Sequence, residues 1–326
     1  MTKILVTGAG GFIGGHLVSS LISEGNSVRA IDMKPLSHWH QLNDHAENIV
    51  ADLSELEKCL SATQDIEHVY NLAADMGGMG FIETHKADCM LSVLINTNLL
   101  RASRENTISK YFYSSSACVY SAEKQTDERV TALKESDAYP AQPEDGYGWE
   151  KLFSERMCRH FLEDFGLETR VARYHNVYGP FGTFYGGREK APAAICRKVA
   201  FAKKTKSKFI EIWGDGEQTR SFMYIDDCVY GSKMLVKSSF TEPLNIGSSE
   251  LVSINQMVEL VESIAGVKLE KIHNLNAPQG VRGRNSDNSL IKKEFGWEPS
   301  ISLSEGLERT YKWIYDNLDE YQKSLV

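Results

Sequence analysis

The stretch that most constrains this chain lies at its start. Residues 3–7 read KILVT, and Thr7 runs directly into G-A-G-G-F-I-G, ending at residue 14. A short apolar strand that stops on spaced glycines and reopens as a helix has few uses. Gly8 permits the tight turn, Gly11 lacks the Cβ that would keep backbone N–H groups away from a pyrophosphate, and Gly14 lets the helix lie close to the strand. The helix N-terminus then offers partial positive charge to phosphate oxygens. Phe12, Ile13, Leu17, Leu21 and Ile22 recur at helical spacing as far as Ser23, and a second strand over 28–31 ends on Asp32. This is a βαβ unit. A carboxylate at Asp32 hydrogen-bonds an adenosine ribose diol and repels a 2′-phosphate, which points to NAD rather than NADP, although Lys34 and Arg29 lie nearby. The plainer alternative for Asp32 is a turn or capping residue.

Strand-like runs at 68–74 (HVYNLAA), 110–120 (KYFYSSSACVY) and 168–179 (ETRVARYHNVYG) alternate with helical segments. Such alternation implies an α/β fold with a doubly wound parallel (Rossmann) sheet covered on both faces. Beyond Pro180 the pattern loosens into a Gly-rich loop (182–190), a helix near 191–204, a strand FIEIW at 209–213, a strand PLNIG at 243–247, and helices at 253–265 and 303–318. The expected organisation is an NAD-binding domain of residues 1–178 plus about 223–248. A smaller C-terminal α/β substrate lobe then takes about 179–222 plus 249–326, with Trp297 and the 303–318 helix in its core. The net charge of −8 argues against a nucleic-acid surface, so an anionic ligand needs a local cluster of Arg and Lys. The six cysteines form no C-x-x-C pair, no metal site is indicated, and no apolar run is long enough for a bilayer. A reducing cytoplasm is the expected setting.

Tyr147-Gly-Trp-Glu-Lys151 places a phenol and an ammonium on one helix face, and the ammonium favours the phenolate. Tyr147 is therefore a candidate base for a sugar hydroxyl. Ser116, in Ser114-Ser-Ser-Ala-Cys-Val-Tyr120, resembles the Ser/Thr position of extended short-chain dehydrogenases/reductases that hydrogen-bonds the reacting oxygen, and its plainer alternative is a strand-end hydroxyl bonded to backbone. Cys118 has two readings: a soft acid/base whose reference pKa is about 8.5, or a small buried hydrophobe. His175 has no independent chemical case and reads as a packed histidine.

The runs AADMGGMGFI (73–82), SSACVY (115–120), HNVYGPFGT (175–183), GGREKAPAA (186–194), WGDGEQTRSF (213–222) and GVRGRNSDN (280–288) span most of the chain. In them the sequence resembles the GDP-mannose 3,5-epimerase family of extended short-chain dehydrogenases/reductases. Sugar 4-epimerases of this type carry Thr where Cys118 stands. The 4,6-dehydratases carry an Asp-Glu pair after the Ser/Thr, which is missing here. The resemblance implies Cys118 and Lys190 as an acid/base pair beside Ser116, Tyr147 and Lys151. For NAD it implies Gly8, Gly11, Phe12, Ile13, Gly14, Asp32, Asp52, Leu72, Ala73 and Ala74, with Tyr147 and Lys151. Around the sugar and diphosphate it implies Gly77, Gly78, Met79, Ser116, Cys118, Asn176, Glu189 and Lys190. Arg220, Arg282 and Arg284 are the candidate cations for the diphosphate, since planar forks suit phosphate oxygens. A surface ion pair is the ordinary alternative for each of the three.

The resemblance further implies a homodimer built through a helix pair of the cofactor domain. Ser121 stands where the family usually has proline. Gly146 and Trp149 replace the more usual Ala and Leu, so pocket shape, and with it the sugar, is open to change. Plant members extend before the first strand, and the shorter start suggests a prokaryotic source. Two other readings compete: a different nucleotide-sugar epimerase acting at C3, C5 or C4 of a GDP- or UDP-sugar, and a non-catalytic NAD-binding protein. The intact Ser116, Tyr147 and Lys151 argue against the second.

Overall fold

The computed structural model describes residues 2–323, apart from the side chains of Met79 and of residues 320–323. In chain order the elements are β1 (Lys3–Thr7), α1 (Phe12–Ser23), β2 (Ser27–Asp32), β3 (Glu47–Val50), α2 (Leu56–Ala62), β4 (His68–Asn71), α3 (Met79–Thr84), α4 (Lys86–Glu105), β5 (Lys110–Ser116), α5 (Tyr147–Phe165), β6 (Glu168–Tyr174) and β7 (Asn176–Tyr178). There follow α6 (Ala191–Thr205), β8 (Phe209–Trp213), β9 (Thr219–Tyr224), α7 (Ile225–Lys237), β10 (Leu244–Ile246), β11 (Leu251–Ser253), α8 (Ile254–Ala265), β12 (Glu270–Asn274), β13 (Gly283–Arg284), α9 (Ser289–Phe295) and α10 (Leu303–Lys323).

Seven strands form one sheet in the order β10-β6-β5-β4-β1-β2-β3, and every neighbouring pair is parallel. Successive side chains point to opposite faces, so each strand feeds two cores. Ile4 and Val6 join the core that contains residues of α1 and α7, whereas Leu5 joins that of α2, α4 and α5. This two-sided burial explains the near-continuous apolar runs of β1, β4 and β5. The chain leaves β1 to one side for β2 and β3, then returns to β1's other edge for β4. The carboxyl ends of β1 and β4 therefore flank the crevice where ligands bind in such sheets.

Several strands end earlier than the sequence pattern suggests, β4 at Asn71 among them, and two of these ends shape the site. The 110–120 run stops at Ser116, whose Oγ accepts a hydrogen bond from the Cys118 N–H (3.2 Å), and Ala117–Val119 become a single tight helical turn. The 168–179 run breaks at His175. Its N–H still bonds the Ile246 carbonyl (3.2 Å), but β7 leaves the large sheet and pairs with β9. A second sheet is built from β11, β9 and β13 with β7 on β9, and β8 pairs with β12. Leu303, Leu307, Ile314 and Leu318 of α10 are buried in one core with residues of α6 and α8, and Trp297 packs against that core.

Helix α5 buries charge as well as apolar surface. Glu150, Lys151, Ser154 and Glu155 all face inward. Glu155 accepts from Arg173 Nε (2.9 Å) and Nη2 (2.7 Å) and from Ser115 Oγ (2.5 Å). Arg173 also donates to the Glu135 carbonyl at 2.7 Å. A buried pair is strongly destabilised when one partner is removed, because the other charge stays desolvated. Glu155→Ala should therefore cost about 3–5 kcal/mol, read from the midpoint and slope of urea unfolding. An unchanged midpoint would mean that this ion pair does not hold α5 to the sheet.

Candidate active site

The first turn is tightly determined. Gly8 has φ +68°, and a Cβ there would lie 2.9 Å from the Leu72 carbonyl. A Cβ on Gly14 would come within 2.2 Å of the Gly8 oxygen, so helix and strand meet at van der Waals contact. At Gly11 only the Gly8 oxygen, at 3.1 Å, stands near a Cβ, which leaves the backbone there open to a ligand. Asp32 Oδ2 accepts from the Gly10 N–H (3.1 Å), and its Oδ1 accepts from the Lys34 N–H (3.0 Å). Lys34 Nζ turns back to the Gly10 carbonyl (3.1 Å) instead of standing free for a 2′-phosphate. The pattern gave no sign of Trp39, whose indole packs where a Gly10 Cβ would be. Phe12 and Ile13 open α1, Asp52 follows β3, and Leu72, Ala73 and Ala74 follow β4. These residues gather at the carboxyl ends of adjacent parallel strands. The turn, the open glycine and the Asp32 carboxylate fit an adenine dinucleotide.

A cleft beside this edge is lined by Ser116, Cys118, Tyr147, Asn176, Lys190, Arg220 and Arg284, with Gly77, Gly78 and Glu189 in its wall. Gly78 donates to the Arg188 carbonyl (3.0 Å), and a Cβ there would strike the Glu189 carbonyl at 2.5 Å. The 77–80 and 186–190 loops are thus fastened together. Met79 opens α3, and its side chain lies outside what is described. Glu189 is tied to Arg197 Nη2 (3.1 Å) and to the Gly187 N–H (2.7 Å).

Tyr147 is buried at the start of α5. Burial raises its phenol well above the ordinary value, the charges of Cys118 and Glu150 add to this, and a hydrogen bond with Ser116 opposes it. Lys151 Nζ lies 5.5 Å from the centre of the Tyr147 ring and 4.8 Å from that of Tyr113. Lys190 caps α6 from the other side of the sequence. Burial lowers its pKa, and negative charge at the nearby Cys118 would work against that. Arg284 Nη1 reaches Cys118 Sγ at 3.7 Å, held by Gln125 Oε1 (2.6 Å) and an ion pair with Glu144.

The three candidate cations divide. Arg220 is half-buried and donates only to backbone carbonyls, those of Thr219, Gln279 and Val281 among the described residues, and desolvation lowers its pKa to about 10. Arg282 faces the other way. It spans Glu128 and Asp215 and is not among the residues lining the cleft, which is the arrangement of the surface-pair alternative. Asn176 Nδ2 bonds the Ser221 carbonyl (3.1 Å) at the cleft wall. The departures from the family pattern also lie off the cleft. Ser121 bonds Gln142, Trp149 is exposed, and Gly146 has φ +52°. Sequence reasoning missed Gln218 and Phe222 in the lining. Strand alternation could have found them, because 218, 220 and 222 share parity with Arg220.

Residues 4–247 match the NAD dependent epimerase/dehydratase family, and the chain belongs to it. A curated relative is the GDP-mannose 3,5-epimerase of Arabidopsis thaliana, 50% identical over 98% of this chain and 83% of its own length. A putative UDP-glucose 4-epimerase of Methanocaldococcus jannaschii is 30% identical over 96% of this chain and 99% of its own. Among solved structures, the UDP-glucose 4-epimerase of Thermotoga maritima with UDP-glucose superposes with a TM-score of 0.87 at 27% identity, covering 97% of this chain and 100% of that one. The UDP-glucuronic acid 4-epimerase of Bacillus cereus, complexed with UDP-glucuronic acid and NAD, gives 0.80 at 29% identity, covering 97% and 99%. NAD is the cofactor of this family.

Charge-assisted hydrogen bonds are worth about 1.5–3 kcal/mol. Asp32→Ala should therefore weaken NAD binding roughly tenfold to a hundredfold, measured by calorimetry. Equal affinity in the two proteins would remove Asp32 from the cofactor site.

Proposed function

We propose that this chain is a GDP-mannose 3,5-epimerase, converting GDP-D-mannose to GDP-L-galactose and GDP-L-gulose. The observation that carries the reading is the meeting of Cys118 and Lys190 in one cleft with Ser116 and Tyr147. A sugar 4-epimerase has no use for that second acid/base pair. The 50% identity to the Arabidopsis thaliana enzyme over nearly the whole chain supports the same reading.

The chemistry follows from carbon acidity. The C3 and C5 hydrogens of a hexose are not acidic, but a ketone at C4 places both next to a carbonyl. Bound NAD supplies the acceptor for the C4 hydride and gives it back at the end of each turnover. Tyr147 takes the 4-OH proton and later returns it, with Ser116 and Lys151 stabilising the charge that develops on the oxygen. Cys118 and Lys190 remove and deliver protons at C5 and C3. Burial of Lys190 favours its neutral amine, the form that can act as a base. Arg220 and Asn176 hold the diphosphate end, and Arg284, beside Cys118, orients the reacting end. The division of labour between domains follows: residues 1–178 with about 223–248 hold NAD, and about 179–222 with 249–326 close over the nucleotide sugar.

Assembly as a homodimer is part of this reading. Helices α4 and α5 pack side by side and leave Met90, Leu91, Leu94, Trp149 and Phe153 exposed, an apolar face suited to a second copy. Phe153→Glu should convert the protein to a monomer in sedimentation analysis, and an unaltered dimer would place the contact elsewhere. The setting we infer is the reducing cytoplasm. All six cysteines are buried and unpaired, and no helix among the described residues is long and apolar enough to cross a membrane.

Incubation with GDP-mannose in D2O tests the activity. Deuterium should enter the hexose at C3 and C5 as the galacto and gulo isomers appear. Cys118→Ser should keep C4 oxidation while slowing inversion by about 10²–10⁴-fold, the usual contribution of a general acid/base. Tyr147→Phe should lose both. Inversion at the wild-type rate in Cys118→Ser would make the cysteine structural.

A further inference from the structure

Helix α5 carries a buried carboxylate that the reaction above does not use. Glu150 precedes Lys151, and its residue exposure is 3%. Its Oε1 is locked by Tyr113 Oη (2.9 Å) from β5 and by Ser154 Oγ (2.9 Å) from the next turn of α5. Its Oε2 is buried without a hydrogen-bond partner, and this oxygen lies 3.5 Å from Lys151 Nζ. A buried carboxylate with a bare oxygen is costly unless a cation compensates it. The Lys151 ammonium is that cation, and it sits between the rings of Tyr113 and Tyr147. We propose that Glu150 is a positioning residue of the catalytic machinery: its locked carboxylate holds Lys151 at the fork between Tyr113 and Tyr147 and tempers the field which that ammonium exerts on the Tyr147 phenol.

The need for such a device comes from the direction of the chemistry, and the proposal rests on the epimerase reading in this respect. An enzyme that only oxidises its substrate gains from a strongly basic partner state. Here Tyr147 must accept the 4-OH proton and return the same proton within one turnover. Proton transfer is efficient in both directions only when the acid's pKa lies near the working pH. Burial favours the protonated phenol and the Lys151 ammonium pulls toward phenolate; an ammonium released from Glu150 would shift that balance so that the proton escapes before the return step. The groups facing Tyr147 are Glu150 and Lys151 from its own helix, Cys89 from α4, and Ser116 with Cys118 from the end of β5. Arg284 stands behind Cys118, and Lys190 lies within reach of its charge. Among those that α5 itself supplies, Glu150 alone opposes Lys151.

The test uses the NAD-loaded enzyme. Glu150→Gln keeps an oxygen for Tyr113 and Ser154 but removes the charge. The acidic limb of the pH profile for C4 oxidation should move down by about one pH unit, the low end of what removing one nearby charge does to a titrating group. KM should hold, kcat should fall, and bound reduced nicotinamide should accumulate during turnover. Glu150→Asp, which keeps the charge but withdraws it from Lys151, should give a smaller shift in the same direction, and it serves if the glutamine variant fails to fold. Coincident profiles for wild type and both variants would overturn the proposal, as would a rise in KM alone. Ultraviolet titration of the Tyr147 phenolate in the sugar-free holoenzyme, taken against Tyr147→Phe, separates the two readings. A shift there in Glu150→Gln, in a protein that does not epimerise GDP-mannose, would sink the substrate assignment and leave the role of Glu150 standing.

Discussion

The ion pair between Glu155 and Arg173 is the fastening on which the site depends. It joins α5 to β6, and Ser115 brings β5 into the same contact. Ser115 is the neighbour of Ser116, and Glu155 lies two helical turns beyond Tyr147. Fixing one turn of α5 against the ends of β5 and β6 therefore fixes where Tyr147 and Lys151 meet Ser116. Charge is used here because geometry matters more than net stability. A hydrophobic contact tolerates sliding, whereas a bidentate guanidinium–carboxylate pair defines both distance and angle.

Features that rest on backbone geometry were legible in the sequence. The glycines at 8, 11 and 14 announce a turn that only glycine permits, and the distances at Gly8 and Gly14 leave no room for a Cβ. The 3.6-residue spacing from Phe12 to Ser23 matches α1 residue for residue. Features that depend on which partner a side chain finds were not legible. Arg220, Arg282 and Arg284 look alike in sequence and differ only in what surrounds them. Two carboxylates neutralise Arg282, while Arg220 meets none in the described structure. The end of the 110–120 strand was hidden for a similar reason. A single side-chain bond from Ser116 to the Cys118 N–H turns the chain there, and β propensity carries no trace of it.

That partition of arginines resolves an electrostatic problem. A chain of net charge −8 must bind a dianionic diphosphate. Overall potential cannot help, so the attraction has to be local and desolvated, where charges interact most strongly. Arg220 meets this condition. It is half-buried and its donors go to carbonyls, and the fall in its pKa to about 10 reflects the cost of holding a cation there without a counter-ion. The protein carries that cost in the free state, and an arriving anion relieves it. Arg284 is arranged differently, already balanced by Glu144 and aimed at Cys118. It is suited to orienting the reacting end, whereas Arg220 is suited to capturing the charged end.

The same logic separates the two groups proposed as proton-transfer centres. Tyr147 is enclosed, and burial holds its proton on. Lys190 is enclosed, and burial drives its proton off. Desolvation disfavours whichever form is charged, so it poises Lys190 as a neutral base, whereas Tyr147 depends on Lys151 and Ser116 to reach the phenolate that accepts the 4-OH proton. Both groups neighbour Cys118, and negative charge at that position would raise each of them, so the two centres are linked through one shared neighbour. Exchanging a proton at either centre then alters the readiness of the other. A site that must oxidise, invert and reduce in order gains from that coupling, since each proton movement prepares the next.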